Sequence, residues 1–427
     1  VKAIREIIAE HKAGRAVGIY SACSAHPLVI EAALAHARRE SGSVLIEATS
    51  NQVNQDGGYT GMRPADFSRF VLKIAARLDV PREQVLLGGD HLGPNCWQDL
   101  PAQAAMAKSE RLIADYVDAG FRKIHLDCSM PCADDPAPLT DRVVAARAAR
   151  LCAVAEQAWQ RAGGEPPVYV VGTEVPVPGG AQEALTELAL TEPHAAAATI
   201  DAHFEAYRSA DLEHVWPRVV GLVVQPGVEF DHHRVIDFDA ARAVELARVV
   251  ETQPYLVYEA HSTDYQTPAS LRALVQKHFA ILKVGPGLTF AMREALWALD
   301  AIERELLGVE QSSRLRERLQ LAMTANPKSW NKYYSSTGRQ LALDQQYSLS
   351  DRIRYYWPVP AVEAALQRLL AQLDANPPPL TLVSQYLPLQ YEAVRAGRLR
   401  PCARDLVLHA IQHVLQQYAA ACTDSVN

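Results

Sequence analysis

The chain lacks any apolar run approaching the roughly 18 residues that a bilayer-crossing helix needs, which argues against an α-helical membrane protein. It also lacks a block of Lys and Arg, and its formal net charge is −7. Nucleic acid and acidic membrane surfaces are therefore not expected partners. Cysteine is sparse, with seven residues scattered along 427. Their number is odd, and the nearest pair, Cys128 and Cys132, is not spaced as a CxxC metal or redox motif, so reduced thiols in a cytosol are the expectation. Walker-type nucleotide loops, internal repeats and low-complexity tracts are missing as well, although Pro377 to Pro379 marks a loop. The opening stretch, VKAIREIIAEHKAGRAVGIY, is charged throughout and has no uninterrupted apolar core of a secretory signal. It reads as an amphipathic helix running into a strand, in keeping with a cytoplasmic protein.

What is present is a chain long enough for one large domain or two ordinary ones, with a hydrophobic content of 49% that suits a globular core. Short aliphatic or β-branched runs recur through the first two thirds: AVGIYSAC from Ala16, VLIEATS from Val44, VLLGGDH from Val85, KIHLDCS from Lys123, VYVVGTEV from Val168, LVVQPGV from Leu222, YLVYEAHS from Tyr255 and AILKVGPG from Ala280. Between them lie segments such as PADFSRFVLKIAARLD, with apolar residues three and four apart. Strands apolar on both faces that alternate with helices indicate a parallel sheet. The expected fold is therefore α/β: a (β/α)8 TIM barrel over residues 1–310, with an open doubly wound sheet as the alternative. Beyond about Gln311 the strand signal fades, and RLRERLQLAM, PAVEAALQRLLAQLD and ARDLVLHAIQHVLQQYAA suggest a helical C-terminal extension over 311–427.

In such barrels chemistry gathers at the carboxyl ends of the strands. Polar residues fall there: Glu47, Thr49 and Asn51 after the second strand, Asp90 and His91 after the third, Asp127 after the fourth, Glu174 after the fifth, Gln225 after the sixth, Glu259 and His261 after the seventh, and Lys283 on the eighth. Burying unpaired acids is costly, so their recurrence at corresponding positions points to a common site. His91 and His261 are the best candidates for ligands of a divalent cation, zinc first, with manganese or magnesium as alternatives; Glu174 and Gln225 are weaker ones. Asp90, Glu174 and Glu259 are candidates for moving protons. Asn51, Asp127, Ser262 and Lys283 are read as substrate-binding. Two glycine turns, VPGGAQE with Gly179 and Gly180 and VGPGLTF with Gly285 and Gly287, are candidates for holding phosphate, the second because its amides precede a helix. His232 and His233 read as surface loop. RIRYYWP, Arg352 to Pro358, either reaches over the barrel mouth or packs in a core or interface, and packing is the expectation.

The segments NQVNQDGGYTGM, GGDHLGPN, GTEVPVPGG, VYEAHSTDYQT, KVGPGLTFAMREAL and YSLSDRIRYYWP together resemble the accessory (Z) subunit of D-tagatose-1,6-bisphosphate aldolase, the GatZ/KbaZ family, over nearly the whole chain. That family is similar to the class II, metal-dependent aldolases. The resemblance implies a partner, the catalytic Y subunit, whose activity and stability the Z subunit raises, with no aldolase activity of its own. It also implies a sugar-phosphate ligand and a homo- or hetero-oligomer. Against the catalytic aldolases, Asp90 and His91 resemble the acid and first metal ligand, Glu174 with Gly179 and Gly180 the segment after strand five, and His261 the strand-seven ligand. Gln225 stands where those enzymes have another histidine, which puts ordinary zinc-aldolase activity in doubt. Two functions follow from the resemblance: an accessory aldolase subunit in galactitol or tagatose catabolism, or an independent metal-dependent ketose or ketose-phosphate 4-epimerase. Retro-aldol cleavage and C4 epimerisation share one apparatus.

Overall fold

In the computed structural model, residues 2–175 and 188–424 are described. The eight aliphatic runs form one closed parallel barrel with strands in sequential order. They are β1 (Ile19–Cys23), β2 (Val44–Thr49), β3 (Val85–Leu92), β4 (Lys123–Leu126), β5 (Val168–Gly172), β6 (Val219–Val223), β7 (Val257–Ala260) and β8 (Ile281–Val284). The sixth strand starts at Val219, earlier than the pattern from Leu222 suggested, and stops before Pro226, which has no N–H for the ladder. A short antiparallel ribbon, Glu229–Phe230 with Val235–Ile236, follows it and turns through Asp231–Arg234.

Helix starts are set by local chemistry. Proline occupies the first turn of α2 (Pro27–Glu40), α3 (Pro64–Arg77), α6 (Pro193–Ser209), α8 (Pro268–Gln276) and α9 (Pro286–Leu307). There its missing N–H costs nothing. With α4 (Ala102–Asp118), α5 (Asp141–Ala162) and α7 (Val244–Glu251), these helices surround the barrel. The first helix, α1 (Lys2–Lys12), closes the amino-terminal end of the barrel. Its Ile4 and Ile8, one turn apart, pack on the inward residues Ile19, Leu45, Leu86, Val168, Val220, Val257 and Ile281. Two residues further along three of these strands the interior changes character, because Leu45, Val257 and Ile281 give way to Glu47, Glu259 and Lys283. The barrel is thus apolar below and ionic above.

From 315 to 422 the chain is mainly helical: α10 (Leu315–Ala325), α11 (Gly338–Tyr347), α12 (Pro360–Ala375), α13 (Leu380–Tyr386), α14 (Pro388–Arg395) and α15 (Ala403–Cys422). They share one continuous hydrophobic core with the barrel helices. The last helix, α15, packs against α2, α8 and α9. Its Tyr418 hydroxyl donates to Thr263 O at 2.7 Å, and Gly18 N donates to Cys422 O at 2.9 Å. Asp351 ties the stretch before α12 to α9, accepting from Arg293 Nε at 3.1 Å and Thr289 Oγ1 at 2.7 Å.

Candidate metal centre and ligand cavity

The adjacent Asp90 and His91 end β3 at an irregularity. The register with β4 shifts between Gly89 and Leu92, and His91 takes a left-handed backbone with φ of 48°. A regular strand sends neighbouring side chains to opposite faces, whereas a bulge re-aims one of them. Both side chains therefore reach the same place. His261, from the end of β7, and His125, from β4, join them. Asp90, His91, His125 and His261 each offer one donor atom, and these atoms lie within 4.8 Å of one another. The imidazole centroids are 4.9 Å apart for His91 and His261, 5.2 Å for His91 and His125, and 5.3 Å for His125 and His261.

An ionic layer supports this cluster from inside the barrel. Lys123 Nζ lies 2.6 Å from both Glu47 Oε1 and Glu259 Oε2. Lys283 Nζ is paired with Glu47 and lies 2.9 Å from Asp90 Oδ1. Glu259 Oε1 is 2.9 Å from His261 Nε2, and His91 Nδ1 is 2.8 Å from Asp127 Oδ2. Burial alone would raise the pKa of Asp90, but His91, Lys283 and the hydrogen bond from His125 hold it well below the usual carboxylate range. Burial likewise pulls His91 down, yet Asp90 and Asp127 overcome this and leave it raised. For His261 burial wins, lowering its pKa to about 4 despite Glu259. A neutral imidazole is the form that ligates a metal.

The donor set fits a divalent cation. His125 Nε2 is buried without a hydrogen-bond partner, an atom that otherwise carries a desolvation cost. Among the described residues the four carboxylates Glu47, Asp90, Asp127 and Glu259 lie with two ammonium groups, Lys123 and Lys283, so once the imidazoles are neutral, as ligation requires, two negative charges are left for a divalent ion to balance. Imidazole nitrogen with carboxylate oxygen is a donor set for zinc or manganese.

Beside the cluster opens a cavity of about 470 Å³, lined by Asp90, His91, His261, Lys283, Asn51, Thr49, Ser262 and Gly285 among others. The residues expected from the sequence divide on this geometry. Asp90, His91 and His261 converge, with Asn51, Ser262, Lys283 and Gly285 around the same space. Glu259 is buried beneath the cluster and Asp127 behind His91, so both act on the imidazoles and neither lines the cavity. Gln225 does not line the cavity: its side-chain oxygen accepts from Gly227 N at 2.8 Å and Val228 N at 3.2 Å, which engages it within its own loop. Glu174 is exposed and accepts the Thr191 hydroxyl. The amides of Gly285 and Gly287 are not open to a phosphate, because Asp264 Oδ1 accepts from both, at 2.9 and 2.7 Å. Gly179 and Gly180 lie outside the described residues. His232 is held by Ser350 Oγ and Tyr333 O, while His233 is exposed.

One contribution was not anticipated, and another was weighed only as the lesser alternative. His125 sits two residues before Asp127 on the same strand face as Lys123, so the K-x-H-x-D spacing was its signal. Arg354, Tyr355 and Trp357 line the cavity, so RIRYYWP does reach over the mouth of the barrel, contrary to the expectation of packing alone.

A (β/α)8 barrel with a metal-competent imidazole–carboxylate cluster at the carboxyl ends of its strands, opening on a cavity, is the class to which this protein belongs. The chain belongs to the D-tagatose-1,6-bisphosphate aldolase subunit GatZ/KbaZ-like family, whose profile matches residues 4–423. It is similar to a protein from Sinorhizobium meliloti 1021 described as a probable tagatose 6 phosphate kinase, with 52% identity and a TM-score of 0.88 over 95% of this chain and 100% of that one. A fructuronate-tagaturonate epimerase from Cohnella laeviribosi shares the fold at 10% identity and a TM-score of 0.52, over 96% of this chain and 82% of that one. Among the described residues no helix is long and apolar enough to cross a membrane.

Proposed function

We propose that this aldolase-related subunit binds a divalent cation, zinc first, and a ketose phosphate at its own barrel mouth, and that it supports a catalytic Y subunit in tagatose or galactitol catabolism in the cytoplasm. A complex of unlike chains follows from that role. The observation that carries the metal and ligand part is the convergence of Asp90, His91, His125 and His261 beside a cavity large enough for a sugar phosphate. A cation held by these residues would polarise the ketose carbonyl. Asp90, lining the cavity and kept ionised by Lys283, accepts a hydrogen bond from the C4 hydroxyl, and in an epimerase it would take that proton as the C3–C4 bond breaks. Thr49 and Ser262 offer hydroxyl groups to the sugar.

A second reading, an independent 4-epimerase, is favoured by one feature: donors, acid and cavity all come from a single chain. A scaffold has no use for so many buried charges. In this reading the aldehyde fragment turns over, the C3–C4 bond reforms on its other face, and Asp90 returns the proton to the C4 oxygen. Purified chain, assayed for bound metal and for interconversion of tagatose and fructose 6-phosphates with and without a Y subunit, separates the two. Turnover without partner, abolished by His261→Ala, supports the epimerase and overturns a purely accessory role. Absence of turnover together with a partner-dependent rise in aldolase activity does the reverse.

A further inference from the structure

Among the described residues three permanently cationic side chains line the cavity, and two are already matched by acids. Lys283 is paired with Glu47 and Asp90, and Arg404 Nε is 3.1 Å from Glu31 Oε1. Arg354 has no carboxylate partner among the described residues. Its Nη1 donates to Ser350 O at 2.5 Å and Asp351 O at 3.1 Å, and its Nη2 donates to the Tyr355 hydroxyl at 3.0 Å. The nearby acids are engaged elsewhere: Asp351 by Arg293 and Thr289, and Asp264 by the Gly285 and Gly287 amides. Tyr355 stacks against the guanidinium at 4.6 Å and meets Tyr59, also on the cavity wall, edge to face at 4.7 Å. Arg354 is thus a partly buried charge on the cavity wall without a carboxylate counterion, and a planar guanidinium in that condition matches an oxyanion with two acceptor oxygens.

We propose that Arg354 binds the terminal oxyanion of a sugar ligand whose carbonyl end lies at the Asp90–His261 centre. This rests on the reading of the cavity as the sugar site. The helical extension therefore supplies a recognition element to the barrel, held over the mouth by the buried Arg293–Asp351 pair. The oxyanion is a phosphate in a ketose phosphate or a carboxylate in a keto-uronate, and both present the same paired acceptors.

The test is calorimetric binding of tagatose 6-phosphate, tagaturonate and unsubstituted tagatose to the metal-loaded full chain and to Arg354→Met and Arg354→Lys. The wild type is expected to favour one charged sugar over tagatose by a factor of about 30, the range of a hydrogen-bonded charge pair. Which charged sugar wins identifies the oxyanion. Arg354→Met removes the preference, and Arg354→Lys keeps part of it, as a point charge without the planar fork. Equal binding of charged and neutral sugars by the wild type, or a preference that survives in Arg354→Met, overturns the assignment while the sugar site stands. Failure of the metal-loaded wild type to bind any of the three overturns the sugar site as well. If Arg354→Met does not fold, Arg354→Lys decides: a reduced preference supports the assignment and an undiminished one overturns it.

Discussion

His91 Nδ1 sits 2.8 Å from Asp127 Oδ2, and this contact turns the ring's other nitrogen toward Asp90, whose Oδ2 is 3.7 Å from Nε2. Asp127 thereby fixes the tautomer and aim of a ligand without lining the cavity. Carboxylates in this role raise ligand basicity, and their loss usually weakens metal binding by about 10- to 100-fold. Asp127→Asn is expected to lower zinc affinity by that range in chelator competition, with little change in fold. An affinity equal to wild type would show that His91 is oriented by something else.

The surplus of carboxylates over ammonium groups around the cluster makes the metal a stabilising ligand as well as a reagent. Binding to the folded state alone adds about 2.7 kcal/mol when free zinc is at roughly 100 times its Kd. Chelation should lower the melting temperature, and added zinc should restore it further than magnesium, which prefers oxygen donors. A melting curve indifferent to chelator and to every added divalent ion would falsify the metal centre.

The barrel could be read from the chain because each strand carries its own local signature: an aliphatic run bounded by turn residues and followed by helical spacing. Asp90, His91 and His261 were legible for a related reason, since polar residues at strand ends stand out against apolar runs. His125 was hidden by its position inside β4, where the terminal Asp127 drew the eye. For Gln225, spacing cannot reveal that the amides of Gly227 and Val228 engage its side-chain oxygen. The Asp264 carboxylate that occupies the Gly285 and Gly287 amides comes from the preceding strand's loop, and no local pattern announces that competition. Arg354 reaches the mouth through a contact between Asp351 and Arg293, far apart in sequence, which periodicity does not encode.

Gly88 is where the ionic layer depends on a missing side chain. A Cβ at that position would fall 2.5 Å from Glu47 Oε1 and 2.7 Å from its Cγ, so Glu47 would have to leave Lys123 and Lys283. Gly88→Ala is expected to cost about 1–3 kcal/mol, as overpacking of a filled interior does. It should also reduce metal content, because Lys283 would lose its anchor beside Asp90. Gly42→Ala, where a Cβ meets nothing closer than 4.0 Å, serves as the control in urea denaturation. Equal midpoints for the two variants would show that the barrel interior has slack.

Glu229, on the ribbon after β6, offers a test of burial that is separate from the metal ligands. Burial pushes its carboxyl from 4.5 up to about 7, opposed by the hydrogen bond from Phe230 N at 3.0 Å. The folded chain therefore binds this proton more tightly than the unfolded chain. The resulting stability is fully present below about pH 4.5 and is lost as pH rises through about 7, a change of roughly 3 kcal/mol. Glu229→Gln keeps an acceptor for Phe230 N and removes the titration. Relative to wild type it should be similar at pH 4 and progressively more stable toward pH 8. Urea midpoints measured across that range check the sign, and a difference between the two proteins that does not change with pH would show that Glu229 ionises in the folded state as readily as in water.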